Sequence, residues 1–374
     1  MLTLVLIVVA TALVFEYING FHDTANSIAT VVATKVLSPM QAVGLAASMN
    51  LVGALAGTAV AQTIASGLIN AGVVDVGSQL ILCALLGGIV WNLITWWFGL
   101  PSSSSHALIG GLIGAALAAA GMNFDVVIWS EPAEQIWRSA GVLWKVIVPM
   151  VGSPVLGFTA GFLMMGLLFF TISMMARSGG LLARIARPRW VNSVFGKSQI
   201  VSAAGMGFAH GMNDAQKTMG IVALTLVSAE AAGTLDNLPW ALSFLHPSDE
   251  ALEGGIDLWI KITCAVVMAA GTAAGGWRII KTLGHKLVKL HPIHGFAAET
   301  SAASVILAAS SLGIPVSTTH NISSAIMGVG TAKRLNAIKW SVVNKMIWAW
   351  ILTIPMSGGI AYGLYRMFHH FGWV

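Results

Sequence analysis

The sequence predicts an all-α polytopic membrane protein of about 10–12 membrane helices, in two inverted-topology repeats with discontinuous or re-entrant helices. Three observations carry this expectation. Only 9% of the 374 residues are charged and 56% are hydrophobic, whereas soluble domains carry about 25% charged residues. Apolar runs of roughly 17 to 25 residues recur from end to end, each long enough to cross about 30 Å of hydrocarbon. Two polar motifs, finally, occur twice and in the same order, once in each half of the chain.

The first apolar run, Leu2 to Phe15, has no Lys or Arg before it, so it reads as a retained span and not as a cleavable leader. It continues into "GFHDTANSIAT" (20–30), which places His22, Asp23 and Asn26 at membrane depth. Forty-one glycines suit close helix packing. Cys83 and Cys264 sit at unmatched places in apolar spans and are expected as small buried hydrophobes. Asn50 and Asn92 are expected to bond neighbouring helices, and Trp91, Trp96, Trp97, Trp340, Trp348 and Trp350 to form interface belts or packing. No stretch interleaves aromatic with basic residues as a nucleic-acid face would.

Charge placement gives the topology. Arg177 to Lys197 has five basic residues and no acid, and Arg278 to His294 has four basic residues, three histidines and no acid. Glu230 to Asp257 has six acids and no Lys or Arg. The two basic stretches are therefore cytoplasmic, the histidines at 285, 291 and 294 belonging to a solvated basic loop, and the chain leaves and returns between them. This divides the protein into a first transmembrane repeat (1–176), a cytoplasmic basic linker (177–197) and a second transmembrane repeat (198–374). The second repeat carries an acidic extracytoplasmic loop at 230–257. The second half runs outward at 198–228, inward at 258–276, outward at 296–312 and inward at 315–332. With Lys35 inside and the acid-bearing loop Asn123 to Glu134 outside, the first half takes the reverse order at 2–34, 41–62, 78–98 and 101–121. Corresponding segments point opposite ways, as in many secondary transporters. Hairpins are favoured over full crossings for 78–121 and 296–332, because a tip at mid-depth can line a cavity with irregular backbone.

"GFHDTAN" (20–26) returns as "GMNDAQK" (211–217), and "PSSSSH" (101–106) as "PVSTTH" (315–320). In each Pro-Ser motif a proline and hydroxyls precede an apolar run, which is a helix start with unpaired N–H donors and the positive end of the dipole. That makes an anion site of Ser103, Ser104, Ser105 and His106, mirrored by Ser317, Thr318, Thr319 and His320. A single cluster would more often bond its own helix carbonyls; two at matched places favour a site. Asp23 and Asp214 occupy the same place in the two repeats, each three residues after a glycine where a helix can break. An intramembrane Asp costs about 2.5 to 3.5 kcal/mol and normally faces a partner or a water-filled path; Lys217 is the obvious partner for Asp214. Two ionised Asp with a divalent oxyanion crowd about four negative charges, each like pair at 4 Å costing roughly 4 kcal/mol at an effective dielectric near 20. Lys217 and a protonated His22 offset some of this. The rest calls for cations that enter with the anion. Glu16 and Glu299 are further intramembrane acids and functional candidates.

The stretches "FEYINGFHDTANSIATVV", "WNLITWWFGLPSSSSHALIG", "FAHGMNDAQKTMGIVAL" and "GIPVSTTHNISSAIMG" together resemble the inorganic phosphate transporter (PiT) family, and most of all bacterial low-affinity phosphate permeases. The likeness runs through nearly the whole chain. It implies a cation-coupled symporter of inorganic phosphate in the bacterial cytoplasmic (inner) membrane, built as an inverted-repeat helical homodimer, with no cofactor beyond the co-transported cation. Residue by residue, it places phosphate on the two Ser/Thr clusters and Lys217. Cation coupling falls to Asp23, Asp214, His22, Asn26, Asn213, Gln216 and Glu299, with Asp23 and Asp214 as ligands if a metal cation binds directly. Sodium-coupled members usually have Asn where this chain has His22 and Lys217. The loss of neutral oxygen ligands favours a proton, or a divalent-metal phosphate complex, over sodium. Two alternatives stay open: a symporter for another tetrahedral oxyanion such as sulfate, and an intramembrane hydrolase. The second lacks a G-x-S-x-G elbow and an H-E-x-x-H pair.

Overall fold

The computed structural model describes residues 1–372 except 62–67, 71, 75 and 134–138; the end of the predicted span 41–62 and Glu134 lie outside the described residues. The fold is helical, and among the described residues the only β contacts are two isolated bridges, Ile69 with Val127 and Glu131 with Ala140. The first half contains α1 (Leu2–Ala33), α2 (Pro39–Leu55), α3 (Ser78–Phe98), α4 (Ser104–Ala119) and α5 (Val148–Arg177). A short α6 (Gly180–Ile185) leads to α7 (Pro188–Ala231), α8 (Leu258–Ala274), α9 (Trp277–Lys281), α10 (Pro292–Ser311), α11 (Thr318–Lys333) and α12 (Trp340–His370). Among the described residues, four stretches are long and apolar enough to cross a bilayer: α1, α3, Leu143–Arg177 and α12. Leu258–Ala274 with Trp277–Leu287, bent by 56°, makes a fifth, broken one. Exposed Leu163, Leu167 and Phe170 on α5 and Trp348 and Ile351 on α12 give these helices the apolar outer face that lipid requires.

One expectation needs correction. The motif helices do not break at their glycines: α1 is continuous over 32 residues and α7 over 44. A Cβ at Gly20 would lie 2.4 Å from Met268 O on α8, and one at Gly211 2.2 Å from Asn50 O on α2. These glycines let backbones touch; they do not open the helix. The basic stretch 177–197, expected as a linker, is itself mostly helical. Gly179 and Gly180, both at positive φ, make the turn after α5, and Pro188 at the first helical position starts α7, which continues to Ala231.

The irregular backbone sits at the two hairpin tips, which are built alike. Gly99, left-handed at φ 64°, ends α3, with Leu100 N–H donating to Thr95 O at 2.9 Å. Gly313, at φ 67°, ends α10, with Ile314 N–H donating to Ala309 O at 2.9 Å. A proline follows each, then a serine cap: Ser103 Oγ accepts from His106 N–H at 3.3 Å and Ser317 Oγ from His320 N–H at 3.2 Å. The first tip, Pro101 to Ser103, is buried.

Contacts fix how the helices run. α1 and α7 lie side by side and antiparallel, for Glu16 meets Thr218 while Thr30 and Ser202 both reach Glu299. α8 runs parallel to α1, with Gly20 on Met268 and Thr24 Oγ1 donating to Thr272 O at 3.2 Å; α2 runs parallel to α7, with Gly207 on Ala46 and Gly211 on Asn50. α5 covers α11 through Gly157 on Asn321 and Gly161 on Ala325, and α12 covers α4 through Gly110 on Ile354 and Gly114 on Gly358. Each half's last long helix thus packs on the other half's Ser/Thr helix, so neither half buries its polar helix alone.

Candidate functional site

Where α1 and α7 cross at mid-length, the N-termini of α4 and α11 converge on them. All the polar groups here are buried. Asp214 is bridged by Lys217 Nζ, which also donates to Ser105 Oγ at 2.5 Å and Val316 O at 3.2 Å. Thr318 Oγ1 donates to Asp214 Oδ2 at 2.7 Å. His210 Nε2 stands 3.0 Å from the same oxygen, within ion-pair distance though off hydrogen-bond alignment, and its Nδ1 is 3.1 Å from Asn50 Oδ1. Asp23 takes His22 Nδ1 at 2.8 Å, Ser104 Oγ at 2.8 Å and Thr319 Oγ1 at 3.3 Å. His22 Nε2 lies 3.1 Å from Thr95 Oγ1, which Ser102 also reaches at 2.8 Å. Asn26 Nδ2 donates to Thr319 at 2.9 Å and Thr318 at 3.3 Å.

The structure therefore brings together Asp23, Asp214, His22, Asn26, Lys217, Ser104, Ser105, Thr318 and Thr319. Ser103 and Ser317 serve as helix caps at the edge of the cluster. The hydroxyls of Ser104, Thr318 and Thr319 reach across to other helices, and so do not follow the usual pattern of bonding their own helix carbonyls. His106 and His320 meet each other edge-on at 4.9 Å, and His320 stacks on Trp350 at 4.3 Å; they join the two hairpin helices.

Three predicted residues lie elsewhere. Asn213 donates to Ser310 Oγ at 2.8 Å on α10. Gln216 Oε1 accepts the Val60 and Ala61 N–H groups at 2.7 and 3.4 Å, tying down the chain after α2. Glu299, on α10, accepts from Thr30, Gln199 and Ser202 about two turns along α1 from Asp23, in a network of its own. Conversely, the cluster also holds His210, Asn19, Thr95 and Ser102, which are not among the expected site residues. The signal was present: Asn19 and His210 each lie one helical turn before the repeated aspartate, hence on its face.

A cation finds donors here. One oxygen each of Asp23 and Asp214 and one nitrogen of His210 lie within 4.8 Å of one another. Asn26 Oδ1 is buried without a hydrogen-bond partner among the described residues. Hydroxyls and helix N-termini offer an anion the complementary half. A buried site for both signs of charge, set in an apolar helical bundle, is the layout of a membrane transporter.

The chain belongs to the phosphate transporter family (PHO4), whose model matches residues 19–361. It is 40% identical over 375 residues to a probable low-affinity inorganic phosphate transporter of Bacillus subtilis (strain 168), covering 98% of both chains. A protein of the same description from Rhizobium meliloti (strain 1021) is 42% identical over 354 residues, covering 94% of this chain and 93% of its own. A solved structure described as the sodium-dependent phosphate transporter superposes with a TM-score of 0.76 over 98% of this chain and 99% of that one, at 23% identity, and shares the fold.

Proposed function

We propose that the protein is a symporter that carries inorganic phosphate across the bacterial cytoplasmic membrane together with a cation, a proton in the first instance. One observation carries the reading: the hydroxyls best placed to hold an oxyanion are the ones the two carboxylates now use, Ser104 on Asp23 and Thr318 on Asp214. Anion and carboxylate compete for the same donors. If phosphate takes Ser104 and Thr318, each aspartate loses a hydrogen bond inside a low-dielectric site just as negative charge arrives beside it. Lys217 compensates Asp214. Among the described residues no lysine or arginine is bound to Asp23, so positive charge must come in with the anion. A proton serves, and so does a metal cation on Asp23, Asp214 and His210, sodium or a divalent ion accompanying phosphate.

Phosphate is favoured over sulfate because a phosphate that keeps a proton can donate it to Asp23 or Asp214, which sulfate cannot. Transport is favoured over hydrolysis because family and relatives are transporters and the site has two matching sides. The antiparallel run of α1 and α7 and the alike hairpins support an inverted repeat, and with it alternating access. The basic side of the bundle would face the cytoplasm, and a homodimer would cover part of the apolar outer surface. The test is labelled-phosphate uptake into proteoliposomes with pH, sodium and magnesium gradients set independently. Uptake that follows the pH gradient agrees with the reading; uptake indifferent to every cation gradient overturns it.

A further inference from the structure

Glu16 lies outside all four motifs, on α1, two turns before Asp23, and is fully buried. Its Oε2 accepts the Thr218 hydroxyl and stands 3.5 Å from Asn19 Nδ2. Its Oε1 has no hydrogen-bond partner among the described residues. The titratable groups facing it are Asp214 and Lys217 on α7 and Cys264 on α8. Lys217 already serves Asp214, Ser105 and Val316 O. An ionised Glu16 would therefore be buried with one oxygen unserved and no cation bound to it. Glu299 is the contrast, since both its oxygens are served by donors.

Asn19 joins Glu16 to the site. Its Oδ1 is 2.6 Å from Ser104 Oγ, which in turn is 2.8 Å from Asp23 Oδ2. One hydroxyl thus lies between two acceptors and has a single proton to give. Turning the Asn19 amide over removes the conflict, and amide orientation is settled by this kind of network logic. Nδ2 then donates to Ser104, whose O–H is released toward Asp23 or an anion, and Oδ1 faces Glu16. That orientation requires a proton on Glu16 to donate to Oδ1. When Glu16 gives the proton up, Nδ2 turns back to it and Oδ1 captures the Ser104 hydroxyl.

We propose that Glu16 is a proton-binding site coupled to anion binding through Asn19 and Ser104: the proton on Glu16 frees the Ser104 hydroxyl to donate into the phosphate site. Binding of the anion and binding of the proton then favour each other, by equal factors. The proposal deepens the symport reading and rests on it. Glu16 is a positioning residue here, since Ser104 makes the contact.

The test is phosphate binding to the solubilised full-length protein, measured from acid to alkaline pH. Wild type should weaken by roughly 10-fold more across the range than Glu16→Gln, the weight of one hydrogen bond to a charged group. The Glu16→Gln amide donates to Asn19 at every pH, so the variant lacks the loss of affinity that deprotonation of Glu16 brings. Phosphate's own ionisation is common to both proteins and cancels in the comparison. Asn19→Ala keeps the acid but cuts the link, and should flatten the profile as well, whereas a purely through-space charge effect would keep the slope. A wild-type slope in either variant overturns the proposal and leaves the symport reading standing. No phosphate binding by wild type at any pH overturns both.

Discussion

Asp23 and Asp214 stand at the same place in two copies of one motif, equally buried, yet their surroundings differ in charge. Asp214 has Lys217 one turn along its own helix, with His210 and Thr318 on its other oxygen. At the place matching Lys217 in the first copy stands Asn26, an amide bonded to Thr318 and Thr319. Among the described residues, Asp23 is bonded by hydroxyls and His22. One side carries its counter-charge in the chain; the other must recruit it. Under the proposed symport, the cation dependence of transport would fall to the first copy, and the second would have a share in stability.

The largest effect should follow from breaking the built-in pair. Asp214→Asn strands the buried Lys217 ammonium, which costs about 3–5 kcal/mol and should lower the thermal stability of the solubilised protein markedly. The double variant Asp214→Asn with Lys217→Met should recover most of it. Asp23→Asn, which strands no lysine, should stay within about 1 kcal/mol of wild type, a surface-like cost despite burial. Equal losses in the two single variants would erase the distinction drawn here.

Next come the shared donors. Ser104→Ala and Thr318→Val each remove one hydroxyl from the anion and should raise the phosphate KM by about 10-fold or more, since a hydrogen bond to a charged group contributes roughly 1.5–3 kcal/mol. An unchanged KM in both would remove these hydroxyls from the site. Smaller again are the packing glycines. Gly20→Ala and Gly211→Ala push a methyl against the backbone of α8 or α2 and should cost about 1–3 kcal/mol each, seen as lost thermal stability. At the bottom of the scale, Glu230→Gln breaks a half-exposed pair with His246 at 3.0 Å and should change stability by less than about 1 kcal/mol.

Much of this was legible in the sequence. Low charge and recurring apolar runs give the helical membrane class, and the Pro-Ser motifs mark where α4 and α11 begin. The matched aspartates and hydroxyl clusters meet as expected. The role of Gly20 and Gly211 was not legible. A glycine one turn from a buried acid fits a helix break as well as a close helix contact, and only the neighbouring backbone decides. His210 and Asn19 are not marked by the repeated letters; what places them at the site is the helical turn before each aspartate. Gln216 and Asn213 share the aspartates' motif but face other helices, since neighbours in sequence point about 100° apart on a helix. Glu299 shows the limit of reading acids singly: its partners Thr30, Gln199 and Ser202 come from two other helices.

The most direct measurement is accumulation of labelled phosphate against its gradient in proteoliposomes that are acid outside, with Asp23→Asn beside wild type and phosphate–phosphate exchange as the control in each. Wild type should concentrate phosphate in step with the imposed gradient, while Asp23→Asn should exchange phosphate yet fail to concentrate it. Concentrative uptake by Asp23→Asn equal to wild type would contradict the assignment of the recruited charge to that carboxylate.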